Sequence, residues 1–379
     1  MFVVPKYKFD QIAFNSTEKK KPTEDDKYTY IGLEHLDSGC LEVTRYGSDV
    51  APIGEKLVMR KGDVLFGKRR AYQKKVAIAP FDGIFSAHGL VLRPKENVVD
   101  RDFFPFFISS DYFLDAAIKI SVGSLSPTIN WRELKELEFE LPDLAIQRDL
   151  AKIFMAMNEA KKAYKELITQ TEQLVQSQFI EMFGDYLSED RMSKLESCCD
   201  CFCDGDWIES KDQSELGIRL IQTGNVGTGD FLNKGERSRF ISEDTFSRLN
   251  CTEVLEGDIL ISRLPDPIGR ACIVPGNLGK SITAVDCTII RLKKTMLPKF
   301  LIAYTKTSVY MAQIDSFTTG STRKRISRGN LGSIAVPVPE IELQIRFCEL
   351  VEQFDKSKFV LQETLKYDKI SYFSMIKSA

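Results

Sequence analysis

Apolar positions along the chain follow two periods in turn, and the sequence of periods occurs twice. Short runs rich in Val, Ile, Phe and Tyr, broken by Gly, Pro, Asp and Asn, predict β-strands and turns. The stretches TYIGLEHLDSG from Thr29 and RLIQTGNVGTG from Arg219 each predict a strand followed by a turn. Helix-like stretches follow, Phe103 to Ile118 and Pro298 to Ile314, and then a polar loop and a strand lead to the Pro-marked boundaries EFELPD and AVPVPE. Beyond each boundary the period lengthens. Ile146, Leu150, Ile153, Met157, Ala160, Tyr164, Leu167, Thr171 and Leu174 step by four and three alternately, the spacing of a coiled-coil seam. In the second half Leu343, Phe347, Leu350, Phe354, Ser357 and Leu361 take the matching places. Two such helices predict an antiparallel pair forming a rod.

The two halves are copies of one plan. Gly62-Asp63-Val64-Leu65 returns as Gly257-Asp258-Ile259-Leu260, Phe85-Ser86-Ala87 as Ile282-Thr283-Ala284, and Arg93 as Arg291. From Gly123/Gly320 through Ile129/Ile326 and Leu134/Leu331 to Gln147/Gln344 the offset holds at 197 residues. The expected fold is therefore α+β: a tandem duplication of a β-rich globular domain followed by a long helix. The expected segments are residues 1–142 (first globular domain), 143–185 (central helix), 186–340 (second globular domain) and 341–379 (C-terminal helix).

Composition narrows the class. With 379 residues, 43% hydrophobic and 28% charged, the chain can build two cores of ordinary size. No apolar run reaches the roughly 18 residues of a membrane span, and the start MFVVPKYKFDQIAF lacks the order of a signal peptide. Nine cysteines, an odd number, fit a reducing cytoplasm better than a disulfide framework. A net charge of −2 means that any nucleic-acid contact must come from locally clustered cations.

YIGLEHLDSG, the stretch from Asp204 through GIRLIQTGNVGTG, the twin blocks from Gly123 and Gly320, and the Pro–x4–Gln spacing of Pro142/Gln147 and Pro339/Gln344 together resemble the specificity subunits of type I restriction–modification systems. The resemblance covers nearly the whole chain. It implies a non-catalytic subunit in which each globular part reads one half of a split sequence in double-stranded DNA. The helices would set the gap between the halves and dock two methyltransferase subunits, which carry S-adenosylmethionine and methylate adenine. Motor–nuclease restriction subunits would join the full complex. The chain itself would need no cofactor and no metal.

Two loops carry the candidate contacts. Lys68, Arg69, Arg70, Lys74 and Lys75 place five cations just after a strand, suited to phosphate contact or, for Arg, to bidentate reading of guanine. Arg263 and Arg270 stand at or near the duplicated place. Ser321, Thr322, Arg323, Lys324 and Arg325, followed by Arg328, form the densest basic run, and answer the uncharged SLSPTI from Ser124. Target-reading loops can diverge between copies where a scaffold would not. The bland alternative for each is a solvated loop. Helix pairing is expected through Ile146, Leu150, Ile153, Met157, Tyr164, Phe347, Leu350, Phe354 and Leu361.

Other motifs argue against an enzyme. Gly224 to Gly229 lacks the Lys-Ser/Thr ending of a nucleotide-binding loop and reads as a turn. Cys198, Cys199, Cys201 and Cys203 offer one ligand-like spacing without a second pair, so packing is the better account than zinc. His35 and His88 stand without a nucleophile motif. A methyltransferase acting alone would need a Pro-Pro-aromatic motif, and the chain has no Pro-Pro. A coiled-coil adaptor that never touches DNA is the alternative reading.

Overall fold

The computed structural model describes residues 5–320 and 324–378, apart from the side chains of Glu189, Glu236 and residues 361–378. The chain divides into two compact units, Met1–Lys165 with Gln362–Ala379, and Glu166–Leu361. Each unit thus takes a share of both long helices, Leu144–Phe183 and Ile341–Ser378.

In the first unit an antiparallel sheet has the order Ala13–Ser16, Gly89–Pro94, Val64–Gly67, Val76–Ile78. Its counterpart in the second unit runs Cys199–Asp204, Cys287–Leu292, Ile259–Ser262, Ala271–Ile273. The strands Val64–Gly67 and Ile259–Ser262 are buried throughout, because both faces of each are covered. Successive side chains point to opposite faces. Val64 and Phe66 therefore enter a core shared with Phe103, Phe107, Phe113 and Phe154, while Leu65 enters a second core with Ile31, Phe85 and Val91. Likewise Ile259 and Ile261 join Phe179, Phe300, Tyr304 and Phe347, while Leu260 joins Ile221, Cys272 and Ile289. Each unit is a stack of helices, a four-stranded sheet and a further sheet.

That further sheet is where the copies diverge. Both keep one parallel pair, Tyr30–Ile31 with Gly83–Phe85 and Ile218–Ile221 with Ser281–Thr283. In the first unit Lys56–Met59 adds beside Gly83–Phe85, whereas in the second Arg239–Ile241 adds beside Ile218–Ile221.

The helical layer is duplicated in detail. Each expected helix-like stretch is two helices, Phe104–Ser109 with Asp111–Lys119, and Pro298–Thr305 with Ser308–Phe317. The second helix of each pair is capped in the same way, with Ser110 Oγ accepting from Phe113 N and Thr307 Oγ1 accepting from Tyr310 N. At the turn before each central strand a buried aspartate receives two bonds from an arginine of the neighbouring strand. Arg93 donates to Asp63 at 2.7 and 2.8 Å, and Arg291 to Asp258 at 2.8 and 2.8 Å.

A buried glutamine fixes each long helix to its globular part. Gln147 Nε2 donates to the carbonyls of Val98 and Pro142 while its Oε1 accepts from Asp100 N. Gln344 repeats this with the carbonyls of Thr295 and Pro339 and with Leu297 N. Both side chains are fully satisfied and almost wholly enclosed.

The glutamine also sets which face of the first long helix turns inward, and here the expected seam is corrected. Gln147, Ala151, Phe154, Asn158, Lys161, Ile168 and Val175 are buried or half-buried beside one row of the expected seam, so the inward face is shifted by less than one position from the expected one. Phe154 lies 6.3 Å from Phe103 and 5.5 Å from Phe106. Leu150 is buried and Ile146, Met157 and Tyr164 are half-buried, but Ile153 is 46% exposed, as are Leu167 and Leu174 to a similar degree. In the second unit Phe347 is buried 5.5 Å from Phe179 and 5.4 Å from Phe183, and Lys358 pairs with Glu172 at 2.6 Å. Within that unit the two helical segments therefore run in opposite directions. Leu350 and Phe354 are half-buried, and the side chain of Leu361 lies outside the described residues.

Replacing Gln344 by Leu strands two buried carbonyls and one amide. We expect a loss of about 2–3 kcal/mol in the second unit, read as a lower denaturant midpoint, with Gln344→Glu also destabilising and an exposed control, Lys356→Gln, neutral.

Candidate nucleic-acid interface

The two loops singled out by charge are neighbours in each unit. In the first, the chain leaves the strand Val64–Gly67 and runs through Lys68 to Lys75, beside the hairpin closed by mutual backbone bonds between Val122 and Thr128. Ile129 N donates to Lys68 O at 2.9 Å, Ala71 N to Pro127 O at 3.3 Å, and Arg69 Nε to Ser126 Oγ at 3.0 Å. In the second unit the hairpin is closed between Thr319 and Arg325, and Ile326 N donates to Arg263 O at 3.2 Å. Lys68 and Arg263 thus occupy one place in the plan. Gly123 and Gly320 open the hairpins with φ of +114° and +101°, a conformation that side chains disfavour.

Within the first loop the cations divide. Arg69 and Arg70 are exposed, and the Arg70 guanidinium has no hydrogen-bond or ion-pair partner among the described residues. Lys68 is half-buried; burial, and then the nearby Lys19, hold its ammonium below the usual lysine value. Lys74 is bound to Asp111 at 2.6 Å and Asp115 at 2.7 Å. Burial works against its charge, but the two carboxylates outweigh it and raise its pKa. Lys75 donates to Leu33 O at 2.6 Å. Lys74 and Lys75 are therefore engaged within the fold, as Arg69 is in part through its Nε, whereas the Arg70 guanidinium is not. The loop's shape is held at some cost, since Arg70 and Lys74 adopt left-handed backbone angles with φ of 55° and 48°.

Arg263 and Arg270 require correction as surface contacts. Arg263 is only 3% exposed; it donates to Val285 O at 2.7 Å and Ile326 O at 3.4 Å and lies 3.3 Å from Asp204. It braces the strand end against the hairpin from inside. Arg270 sends all three nitrogens to carbonyls, of Val226, Leu264, Pro267 and Thr223, at 2.7 to 2.9 Å. It ties the turn at Thr223–Val226 to the loop beyond the central strand, and burial lowers its pKa. A guanidinium so occupied has four of its five N–H donors spent inside the fold.

The second hairpin carries its charge outward. Lys324, Arg325 and Arg328 are exposed, and Arg325 alone of these has an ion-pair partner among the described residues, Asp286 at 3.5 Å. Ser321, Thr322 and Arg323 lie outside the described residues. The two units therefore distribute charge differently over one scaffold. In the first, the strand end is cationic and the hairpin neutral; in the second, the strand-end arginine is internal and the hairpin cationic. Charge counting missed the apolar side of the first site, where Tyr72, Val122 and Leu125 are exposed.

The remaining motifs are structural. Gly224–Gly229 forms a turn in which Gly227 N donates to Asp230 O, and Asn225 bonds Gln222 N and Leu232 O. His35 Nδ1 accepts from Gly32 N at 3.0 Å. Cys201 and Cys203 meet at 3.5 Å on one side of an edge strand, and burial pushes the Cys199 and Cys203 thiols up to about 12, so they stay protonated at neutral pH. Among the described residues no His, Cys, Asp and Glu cluster is placed to hold a metal, and no helix is long and apolar enough to cross a membrane.

Two copies of one mixed domain, each leading into a long helix, define a tandem recognition-domain architecture, and both copies match a known family. Residues 11–173 and 207–370 each match the type I restriction modification DNA specificity domain, and the chain belongs to that family. It is a type I restriction–modification specificity subunit, a non-catalytic component. The specificity subunit of the type I restriction enzyme EcoDI of Escherichia coli is 24% identical over 48% of this chain and 41% of its own length. Two Methanocaldococcus jannaschii proteins match more widely. The putative MjaX specificity subunit is 22% identical over 91% of this chain and 84% of its own. The MjaVIII specificity subunit is 22% identical over 86% and 79%. The fold is similar to a solved chain from a study of complex assembly and conformational transition of the type I R-M system, with a TM-score of 0.58 and 18% identity over 100% of this chain and 98% of that one. The S subunit of a type I system from M. genitalium is similar at a TM-score of 0.50 and 16% identity, over 98% and 95%.

The internal and external arginines separate by experiment. Arg270→Met should cost roughly 3 kcal/mol of stability by chemical unfolding, since four carbonyls lose a charged donor, whereas Arg70→Met should stay within about 0.5 kcal/mol of the parent.

Proposed function

We propose that this chain reads a split target in double-stranded DNA, each unit contributing one half through its strand end and the adjoining hairpin. The observation that carries this reading is the duplicated loop pair: one scaffold in two copies, with exposed cations on the strand end in one and on the hairpin in the other. Phosphate contact requires clustered accessible cations, and the exposed Arg69 and Arg70 with the half-buried Lys68 in one unit and the exposed Lys324, Arg325 and Arg328 in the other supply them despite the net charge of −2. Scaffold residues are kept in both copies, whereas the loops differ, as they must if the two halves of the target differ.

The long helices pair antiparallel along their length in this reading and set the unread gap. They also dock two methyltransferase subunits, which hold S-adenosylmethionine and methylate adenine, and motor–nuclease subunits complete a restriction complex. The exposed Ile153, Leu167 and Leu174, at multiples of seven residues, supply apolar surface for such docking. The nine cysteines are all free, which suits work in the cytoplasm. The chain itself takes up no cofactor.

The same exposed apolar positions favour a second reading, an adaptor that binds proteins and never DNA. Long-read mapping of adenine methylation, in cells with the cognate methyltransferase and with or without this chain, decides between them. A split motif with a fixed gap that appears only with the chain is expected, and exchanging residues 186–340 should change one half alone. Methylation independent of the chain would leave the adaptor. In the assembled complex, Lys324→Gln, Arg325→Gln and Arg328→Gln should each lower the salt dependence of DNA binding by about one unit of slope per lost phosphate contact, with unfolding midpoints unchanged.

A further inference from the structure

The neutral hairpin of the first unit exposes an apolar tip in the middle of a cationic site. Leu125 is 92% exposed, the most open large apolar side chain of this loop pair, and Val122 and Tyr72 beside it are 67% and 57% exposed. The tip is firmly placed. The hairpin is closed by backbone bonds of 3.0 and 2.9 Å between Val122 and Thr128, braced by Arg69 Nε on Ser126 Oγ at 3.0 Å, and held to the strand-end loop by Ala71 N on Pro127 O. A solvated loop gains nothing from holding a leucine out into water, and Leu125 fills no gap within its own unit. Its neighbours Ser124 and Ser126 bring no charge, so the cations for the backbone come from Lys68, Arg69 and Arg70 on the adjoining loop.

We propose that Leu125 is a specificity-determining residue that packs on the C5-methyl group of a thymine in the half-site read by the first unit. In the major groove that methyl group is the one apolar feature that distinguishes a base, and an aliphatic side chain is its natural partner. The adjoining cations seat the loop on phosphates and the leucine reads, so this half-site is recognised in part by apolar contact, while the second unit's hairpin works through charge. The inference rests on the DNA-reading function proposed above.

The test uses the chain assembled with its methyltransferase subunits and duplexes carrying its methylated motif, the first unit's half being the one unaffected when residues 186–340 are exchanged. Each thymine of that half is replaced singly by deoxyuridine, which removes only the methyl group. One replacement should weaken binding roughly fourfold, the loss expected for about one buried methyl-sized group. Leu125→Ala should bind the thymine duplex more weakly by a similar factor and be indifferent to that replacement, with an unchanged salt slope and unfolding midpoint. Undiminished sensitivity to deoxyuridine in Leu125→Ala, or no sensitive thymine in the parent, overturns the contact while leaving the DNA-reading function intact. A parent complex that does not prefer its motif over unrelated duplex overturns both.

Discussion

The glutamine at the start of each long helix is the constraint on which the architecture depends. Gln147 and Gln344 have no competition from water, so the two N–H donors and one acceptor of each side-chain amide must be met by protein, and they are met by two carbonyls and one backbone N–H of fixed position. A side chain bonded on three sides cannot slide or rotate. The helix that carries it is thereby locked in azimuth and in height against the sheet layer, and everything further along inherits that setting. Phe154 stacks into the first core and Phe347 into the second because the residues three to seven positions on have been aimed there. The buried Asp63–Arg93 and Asp258–Arg291 pairs do for the central sheets what the glutamines do for the helices.

How much of this could be read from the sequence depends on the range of the interaction. Gln147/Gln344 and Asp63/Asp258 stand out as repeats, and so do the arginines at 93 and 291, but apart from the glutamines' bonds to Pro142 and Pro339 their bonds join residues 30 to 49 positions apart and are invisible to local pattern. One row of the expected helical seam turns inward and the other outward, for a physical reason. Ile146, Leu150, Ile153 and Met157 form an apolar series, and an adjacent series through Ala151 and Phe154 competes with it. The choice is made by a buried polar residue, Gln147, which any hydrophobic template places outside. The same blindness affects the site. Arg70 and Arg263 are alike in sequence, each following a strand, yet one reaches solvent and the other braces a hairpin, because the carbonyls of Val285 and Ile326 converge on the second alone.

The division between kept and changed parts follows the layers. Helices, caps, clamps and central sheet recur, and so does the single parallel pair of the outer sheet; the placing of the strands added to that pair and the charge of the loops do not. Divergence between the copies is thus confined to elements whose alteration leaves the two-sided central strand and its cores untouched. Arg263 shows how far the separation goes: a position cationic in both copies has become internal bracing in one.

The distribution of core side chains along the chain has a consequence for the order of synthesis. The principal core of the first unit draws on residues from Phe9 to Phe154, so all its buried members have been made once the first third of the long helix has left the ribosome. The principal core of the second unit spans Phe179 to Cys348, with Phe179 and Phe183 made long before Phe347. The nascent second half must therefore wait, its aromatic cluster open, until Phe347 has been made, while the principal core of the first half can already be formed. Exposure to chaperones and proteases falls unequally on two domains of the same design.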